Sequence, residues 1–339
     1  MWLRDVWNLW RVAQLRGLVR LITHSRGLRE LGGSYSVISS LIALEKCGLV
    51  DQLLSADGLD PTRHSDLDQP TLLTICEYLA RRHVLATPVG GVFRPARPKA
   101  FHALRQVVYA CLAYHEPVQR LDALLQGRVR YGCEVSRNEY YDALASATLT
   151  SQFSFGFAAE VLRKVRCERL LDLGCGTGAF LHYLAANRFE ARLLGLDHSE
   201  ETIRSAGRPG VHPPQVELFA GDILRLQASP LDLASVGVFS FMFVLHEFPD
   251  ARVHEILTSI RSRCPKARIL LTELLSSPGY SIKQRYTALP ELEFVHKLSN
   301  QILRTAEQWL ALFHEHSFEV EIAAENRLAN HLCYCFQSI

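Results

Sequence analysis

No apolar run in this chain approaches the roughly 18–20 residues that a membrane-spanning helix needs, so no membrane span is expected. Charge of one sign is also missing. The chain has 37 Lys and Arg against 35 Asp and Glu, a formal net charge of +2, too balanced for a general polyanion binder. The nine cysteines, at 47, 76, 111, 133, 167, 175, 264, 333 and 335, make no C-x-x-C pair and no Cys/His ladder. That spacing gives neither a structural zinc site nor a disulfide framework. The first residues do not read as a secretory leader, because Arg4, Asp5, Arg11, Arg16 and Arg20 interrupt every apolar stretch. Together these absences predict a reduced, cytoplasmic chain. What is present is ordinary for a folded protein: 339 residues, 48% hydrophobic and 21% charged, enough for about two domains and unlike a disordered or fibrous sequence.

The pattern changes twice along the chain, which predicts an N-terminal domain over 1–100, a linker over 101–165 and a main domain over 166–339. Residues 1–30 place Trp2, Val6, Leu9, Trp10, Ala13 and Leu21 at helical spacing, with six arginines against two acids. Such a basic amphipathic helix suits a subunit interface, or less directly a membrane surface. Residues 34–98 read as three helices and a hairpin, with breaks near Gly48, at Asp57-Gly58 and Pro61, and at Gly90-Gly91. That is a winged-helix pattern. Its second helix is poor in Arg and Lys, so dimerisation or a lid over substrate is expected there rather than contact with nucleic acid. The linker is helical and carries Tyr109, Tyr114, Tyr131, Tyr140 and Tyr141, aromatic groups that suit either core or the wall of a small-molecule pocket.

From residue 168 short apolar strands alternate with helices: RLLDLG, RLLGLD, VELFAGD, LASVGVFSFMF and RILLTELL, then FEVEIAAE and HLCYCFQSI. This predicts an α/β fold, a Rossmann-like, doubly wound, seven-stranded sheet that ends in an antiparallel hairpin. The first strand runs into GCGTGAF, with Gly174, Gly176 and Gly178 in the turn before a helix. Glycines there let backbone approach a ligand, and the helix start offers free N–H groups. Three acids narrow the ligand. Asp172 lies in the strand two residues before the first glycine, Asp197 ends the second strand, and Asp222, after Gly221, ends the third. An ammonium, a ribose and an adenine amino group would use all three, whereas a nicotinamide dinucleotide accounts for one.

The run LLDLGCGTGAF…LLGLD…FAGDI resembles the motifs of class I S-adenosylmethionine-dependent methyltransferases. By that resemblance Asp172, Gly174, Gly176 and Gly178 hold the methionine part, Asp197 the ribose, and Asp222 with Gly221 and Ile223 the adenine. Phe241 and Met242, at the end of the fourth strand, would flank the cofactor. The whole layout is similar to the dimeric small-molecule O-methyltransferases, which implies a homodimer through the N-terminal domain and a small-molecule substrate. In those enzymes a His-Asp-Trp element follows the fourth strand and its histidine is the base; here it reads His246-Glu247-Phe248.

His246 admits two chemistries. As a base with an ordinary pKa near 6.5 it could take a proton from a phenol or hydroxyl, giving O-methylation, for which a carboxylate is a further acceptor. With Glu247 and the later His296 it also supplies two imidazoles and a carboxylate, the donor set of an iron or zinc site with open positions. The chain is similar at these three positions to 2-oxo-acid C-methyltransferases that carry a metal, in which an enolate attacks the methyl group. The leading expectation is C-methylation of a 2-oxo acid at that site, with O-methylation as the alternative. A ligand-sensing DNA-binding regulator is more remote, given the near-neutral 34–98 segment.

Overall fold

The computed structural model describes residues 26–206, 213–228, 231–276, 289–326 and 330–339. The basic amphipathic stretch therefore lies outside the described residues up to residue 25. The chain divides into two compact units, 1–111 and 112–339.

In the first unit, helix α1 (Arg26–Lys46) ends before Gly48, whose φ of 69° turns the chain into α2 (Leu49–Leu54). Helix α3 (Gln69–Arg81) begins where Asp68 accepts a hydrogen bond from the Thr71 N–H, with Pro70 in the first turn, where its missing donor costs nothing. A short antiparallel ribbon follows, pairing Leu85 with Pro95 and Val89 with Val92 around Gly90-Gly91, and Leu59 adds to its edge through Phe93. The helices followed by a hairpin are thus those the sequence predicts. Helix α4 (Pro98–Ala113) is tied back by Arg105, whose guanidinium bonds Glu45 at 2.9 Å and Asp51 at 2.7 Å.

The second unit opens with two short helices, α5 (His115–Gln119) and α6 (Leu121–Leu125), then α7 (Glu139–Phe153) and α8 (Phe155–Arg163). Asn138 caps α7 by accepting from the Tyr141 N–H. Seven strands follow: β1 (Arg169–Leu173), β2 (Arg192–Asp197), β3 (Val216–Ala220), β4 (Val238–Met242), β5 (Arg268–Leu274), β6 (Phe318–Asn326) and β7 (His331–Ser338). Their order is β3-β2-β1-β4-β5-β7-β6. The first five are parallel, and β7 runs antiparallel between β5 and β6. The linking helices are α9 (Ala179–Ala186), α10 (Glu200–Ala206), α11 (Asp250–Arg263), α12 (Leu289–Leu298) and α13 (Ala306–Glu315).

Strand alternation sorts the side chains into two cores. Leu171, Leu173, Phe239 and Phe241 pack with Val253, Leu257, Trp309 and Phe313 on one face. Leu170, Leu193, Val238 and Leu270 pack with Leu162, Phe180 and Leu184 on the other. The strand order reverses at β1, between β2 and β4, so the carboxyl ends of those strands open a crevice, the place where doubly wound sheets bind ligands.

Candidate functional site

The three glycines after β1 all take positive φ: 75° at Gly174, 53° at Gly176 and 73° at Gly178. Space excludes a side chain at the first of them, since a Cβ on Gly174 would stand 2.6 Å from Val244 Cγ2. The loop is braced by Asp197 at the end of β2. One oxygen accepts from the Gly176 N–H at 2.8 Å, the other from the Ser199 N–H at 3.0 Å. Asp172 is buried and accepts a 2.6 Å hydrogen bond from Ser240 Oγ. Burial pushes its pKa up to about 7, against the lowering effect of the Ser240 bond. Asp222 accepts from the Leu224 N–H at 2.8 Å.

A cavity of about 500 Å³ lies over these residues, and Asp172, Gly174, Gly176, Asp197, Asp222 and Ile223 all line it. The three acids singled out by the sequence thus face one space. Gly178 caps α9, and a Cβ on Gly221 would stand 2.8 Å from Leu196; neither lines the cavity. Phe241 departs from expectation. Its side chain is fully buried in the β4–α11 core, because alternation along β4 turns it away from the crevice. Met242 and Phe243 line the cavity instead. The opposite wall is α7, through Ala143, Ser146, Ala147 and Thr150. The sequence signal for that wall was small residues at helical i, i+3, i+4, i+7 spacing. Of the linker tyrosines, for which core or pocket wall was open, Tyr140 and Tyr141 on this helix do not line it.

The far end of the cavity is built on the loop after β4. His246 lies on that loop almost fully buried, behind Glu247 and not itself lining the cavity, its Nδ1 2.7 Å from Glu273 Oε2. Glu273, on β5 and wholly buried, also accepts through Oε1 from the Val244 and His246 N–H groups at 3.0 and 3.2 Å. The carboxylate fixes the loop and, by engaging Nδ1, leaves Nε2 turned toward Glu247, whose Oε1 is 3.6 Å away. Burial works against a charged imidazole, but the Glu273 charge and hydrogen bond, with Glu247 behind them, outweigh it and raise the His246 pKa. The His296 ring lies with its centroid 5.0 Å from that of His246. Glu247 Oε1 also accepts from Arg137 Nη2 at 2.7 Å and Gln301 Nε2 at 2.5 Å. Arg137 has a second carboxylate, Asp142, at 3.2 Å. Burial raises the Asp142 pKa against the pull of Arg137.

The structure brings His246, Glu247 and His296 side by side, together with Glu273, Arg137, Asp142 and Gln301, which the sequence reading did not single out. Glu273 had a signal, an acid inside the apolar strand RILLTELL. The expected iron or zinc centre needs correction. Among the described residues no group of three His, Cys, Asp or Glu side chains is set to hold a metal ion. The physical reason lies in Glu247: its nearer oxygen is taken by a guanidinium and an amide, and the guanidinium brings positive charge to where a cation would sit. These residues, so arranged, do not fit a metal.

The cavity does fit an amino-acid nucleoside, with a glycine cradle, a buried carboxyl at one end and two more acids along it. In fold and crevice the chain resembles the class I S-adenosylmethionine-dependent methyltransferases. Residues 170–266 match the family model described as a methyltransferase domain. The chain is 27% identical over 238 residues to indolepyruvate C-methyltransferase of Streptomyces griseus, covering 64% of this chain and 70% of that one. Among solved structures, LaPhzM superposes with a TM-score of 0.66 at 19% identity, over 94% of this chain and 99% of that one. Human N-acetylserotonin methyltransferase, solved with S-adenosylmethionine, gives 0.65 at 18%, over 92% and 97%.

Proposed function

We propose that the chain methylates a small acceptor whose proton is removed by His246, and that the acceptor is an enolisable 2-oxo acid methylated on carbon. The observation that carries the reading is the buried His246–Glu273 pair, set directly behind Glu247, which lines the cavity. The kinship with an indolepyruvate C-methyltransferase supports a 2-oxo acid. S-adenosylmethionine, when bound, supplies a methyl group activated by a sulfonium. In this reading Asp172 and the Gly174–Gly178 loop hold its methionine part, Asp197 the ribose, and Asp222 with Ile223 the adenine. Transfer is an in-line displacement, so the protein's work is to align the acceptor and to remove its proton. Glu273 holds His246 as the Nδ1–H tautomer, so Nε2 is the atom that takes the proton. Arg137 and Gln301 keep Glu247 folded against the wall, where its charge steadies the imidazolium that forms.

O-methylation of a phenol or hydroxyl is the second reading. It is favoured by the same pair, because a phenol with a pKa near 10 needs such a base and no metal. Incubation with labelled S-adenosylmethionine and a panel of 2-oxo acids and phenols, with the methyl position read by NMR, separates the two. His246→Asn, which keeps size but not basicity, should cost about 10²–10⁴ in kcat. Full activity in that variant would end both readings. The N-terminal unit serves, in this proposal, as a homodimerisation domain; light scattering on the purified chain and on 112–339 tests it.

A further inference from the structure

The loop that carries His246 and Glu247 is clamped by two buried charges of opposite sign. Glu273 takes its N–H groups, from Val244 and His246. Arg304, with a side chain 3% exposed, takes its carbonyls. The guanidinium donates through Nη2 to Phe248 O at 2.8 Å and through Nη1 to Leu245 O and Ile302 O, each at 3.4 Å. Nε and Nη2 both bond Asp250 Oδ1, at 2.9 and 2.5 Å. Its planar face lies over the Trp309 ring, 4.6 Å from the centroid. Beside it the Ile302 N–H donates to His246 O at 2.7 Å, and Arg304 O accepts from the Ser276 N–H at 2.9 Å.

A fold that needed only to fill this space would use an apolar side chain, since a buried cation gains little net stability even when paired. Arg304 spends its donors on the backbone on both sides of the His246–Glu247 pair, and on the segment that brings Gln301 to Glu247. It stands in no contact with the cavity. The same loop also holds Phe243 at a φ of 60°, a conformation that a bulky side chain disfavours.

We propose that Arg304 is a positioning residue for methyl transfer: by tying Leu245, Phe248 and Asp250 to the 301–304 strap it fixes where His246 points. This rests on the reading of His246 as the base. A lysine cannot reproduce it, because one ammonium has neither the planar fork nor the stacking face.

The test compares Arg304→Lys, Arg304→Met and Asp250→Asn in the full chain, with His246→Asn alongside. Arg304→Met should lose about 100-fold in kcat, as displacement of a reacting group by about 1 Å does. Arg304→Lys should lose roughly tenfold, and Asp250→Asn less, in the same direction. Affinity for S-adenosylhomocysteine, by calorimetry, should stay within about twofold of wild type in all three. The His246 titration, followed by NMR on the S-adenosylhomocysteine-bound protein, should move toward the ordinary histidine value as its contact with Glu273 loosens. A His246 titration unchanged in Arg304→Lys and Asp250→Asn would overturn the proposal, even if Arg304→Met fails to fold. So would kcat values that only track the folded fraction. If His246→Asn stays active the base reading fails, while the NMR titration still reports whether Arg304 sets the imidazole.

Discussion

Replacing Glu273 by glutamine would remove one charge and leave almost the same shape behind a buried histidine. The loop N–H groups keep an acceptor, because the amide oxygen can replace Oε1. What changes is the partner of His246 Nδ1, 2.7 Å from the other oxygen. A hydrogen bond to a charged group contributes about 1.5–3 kcal/mol. Its loss removes the main cause that holds the His246 pKa up, so that pKa falls. Burial, which already disfavours the imidazolium, then acts without its main counterweight. A base must be unprotonated, so kcat rises with pH through the His246 pKa. In the wild type that limb lies above the ordinary histidine value, and in Glu273→Gln it should move to lower pH. The plateau should fall as well, because an amide NH₂ facing Nδ1 favours the tautomer with its proton on Nε2, the wrong nitrogen. Losses of up to about 10⁴ follow when a histidine base is held in the wrong tautomer. The assay is kcat against pH from 5 to 9 at saturating cofactor. An acid limb that stays in place would refute the argument, whatever happened to the plateau. Stability provides an independent check. A histidine whose folded pKa is raised stabilises the fold below its unfolded value, and that contribution is lost as pH rises through the folded value. Wild type should therefore lose more stability than Glu273→Gln over that window in denaturant melts.

Asp172→Asn should stabilise the cofactor-free protein above pH 7 by as much as about 4 kcal/mol, since burial raises the carboxyl from 3.8 to about 7 and makes the fold disfavour its ionised form. The same variant should bind S-adenosylmethionine more weakly in calorimetry. Gly174→Ala combines a φ of 75° with a Cβ 2.6 Å from Val244, so a thermal melt should show destabilisation of about 2–3 kcal/mol and cofactor binding should be lost. Arg137→Met leaves Asp142 and Glu247 facing each other without their shared cation, and should cost about 3–5 kcal/mol in urea unfolding at pH 8. Lowering the pH should recover part of that loss as Asp142, already raised by burial, takes up a proton.

The cofactor side of this site was legible in the sequence because its information is local. Asp172, Gly174, Gly176 and Gly178 are near neighbours, and each β/α repeat ends at the same edge of the sheet, so Asp197 and Asp222 arrive there by topology alone. Phe241 was misplaced for an equally local reason. One step along a strand reverses a side chain, and placing a pair of residues at a strand end does not say which of them faces the crevice. Met242 and Phe243 do.

The acceptor side is different because its residues are brought together by charge compensation across long stretches of chain. Arg137 meets Glu247 across 110 positions, and Gln301 meets it across 54. No period or motif encodes such a meeting. Each residue is individually unremarkable as text, and burial alone makes it consequential, because an unpaired carboxylate there would be untenable. The three residues read from sequence as a metal site were indeed gathered into one place. Their use turned on a fourth, Arg137, whose cation occupies the carboxylate that a metal would have needed. The chemistry of a donor set therefore depends on which further charge the fold brings to it. At this site the arriving charge is positive. It makes Glu247 a partner of arginine and leaves His246, backed by Glu273, with Nε2 turned toward Glu247, the member of the cluster that lines the cavity.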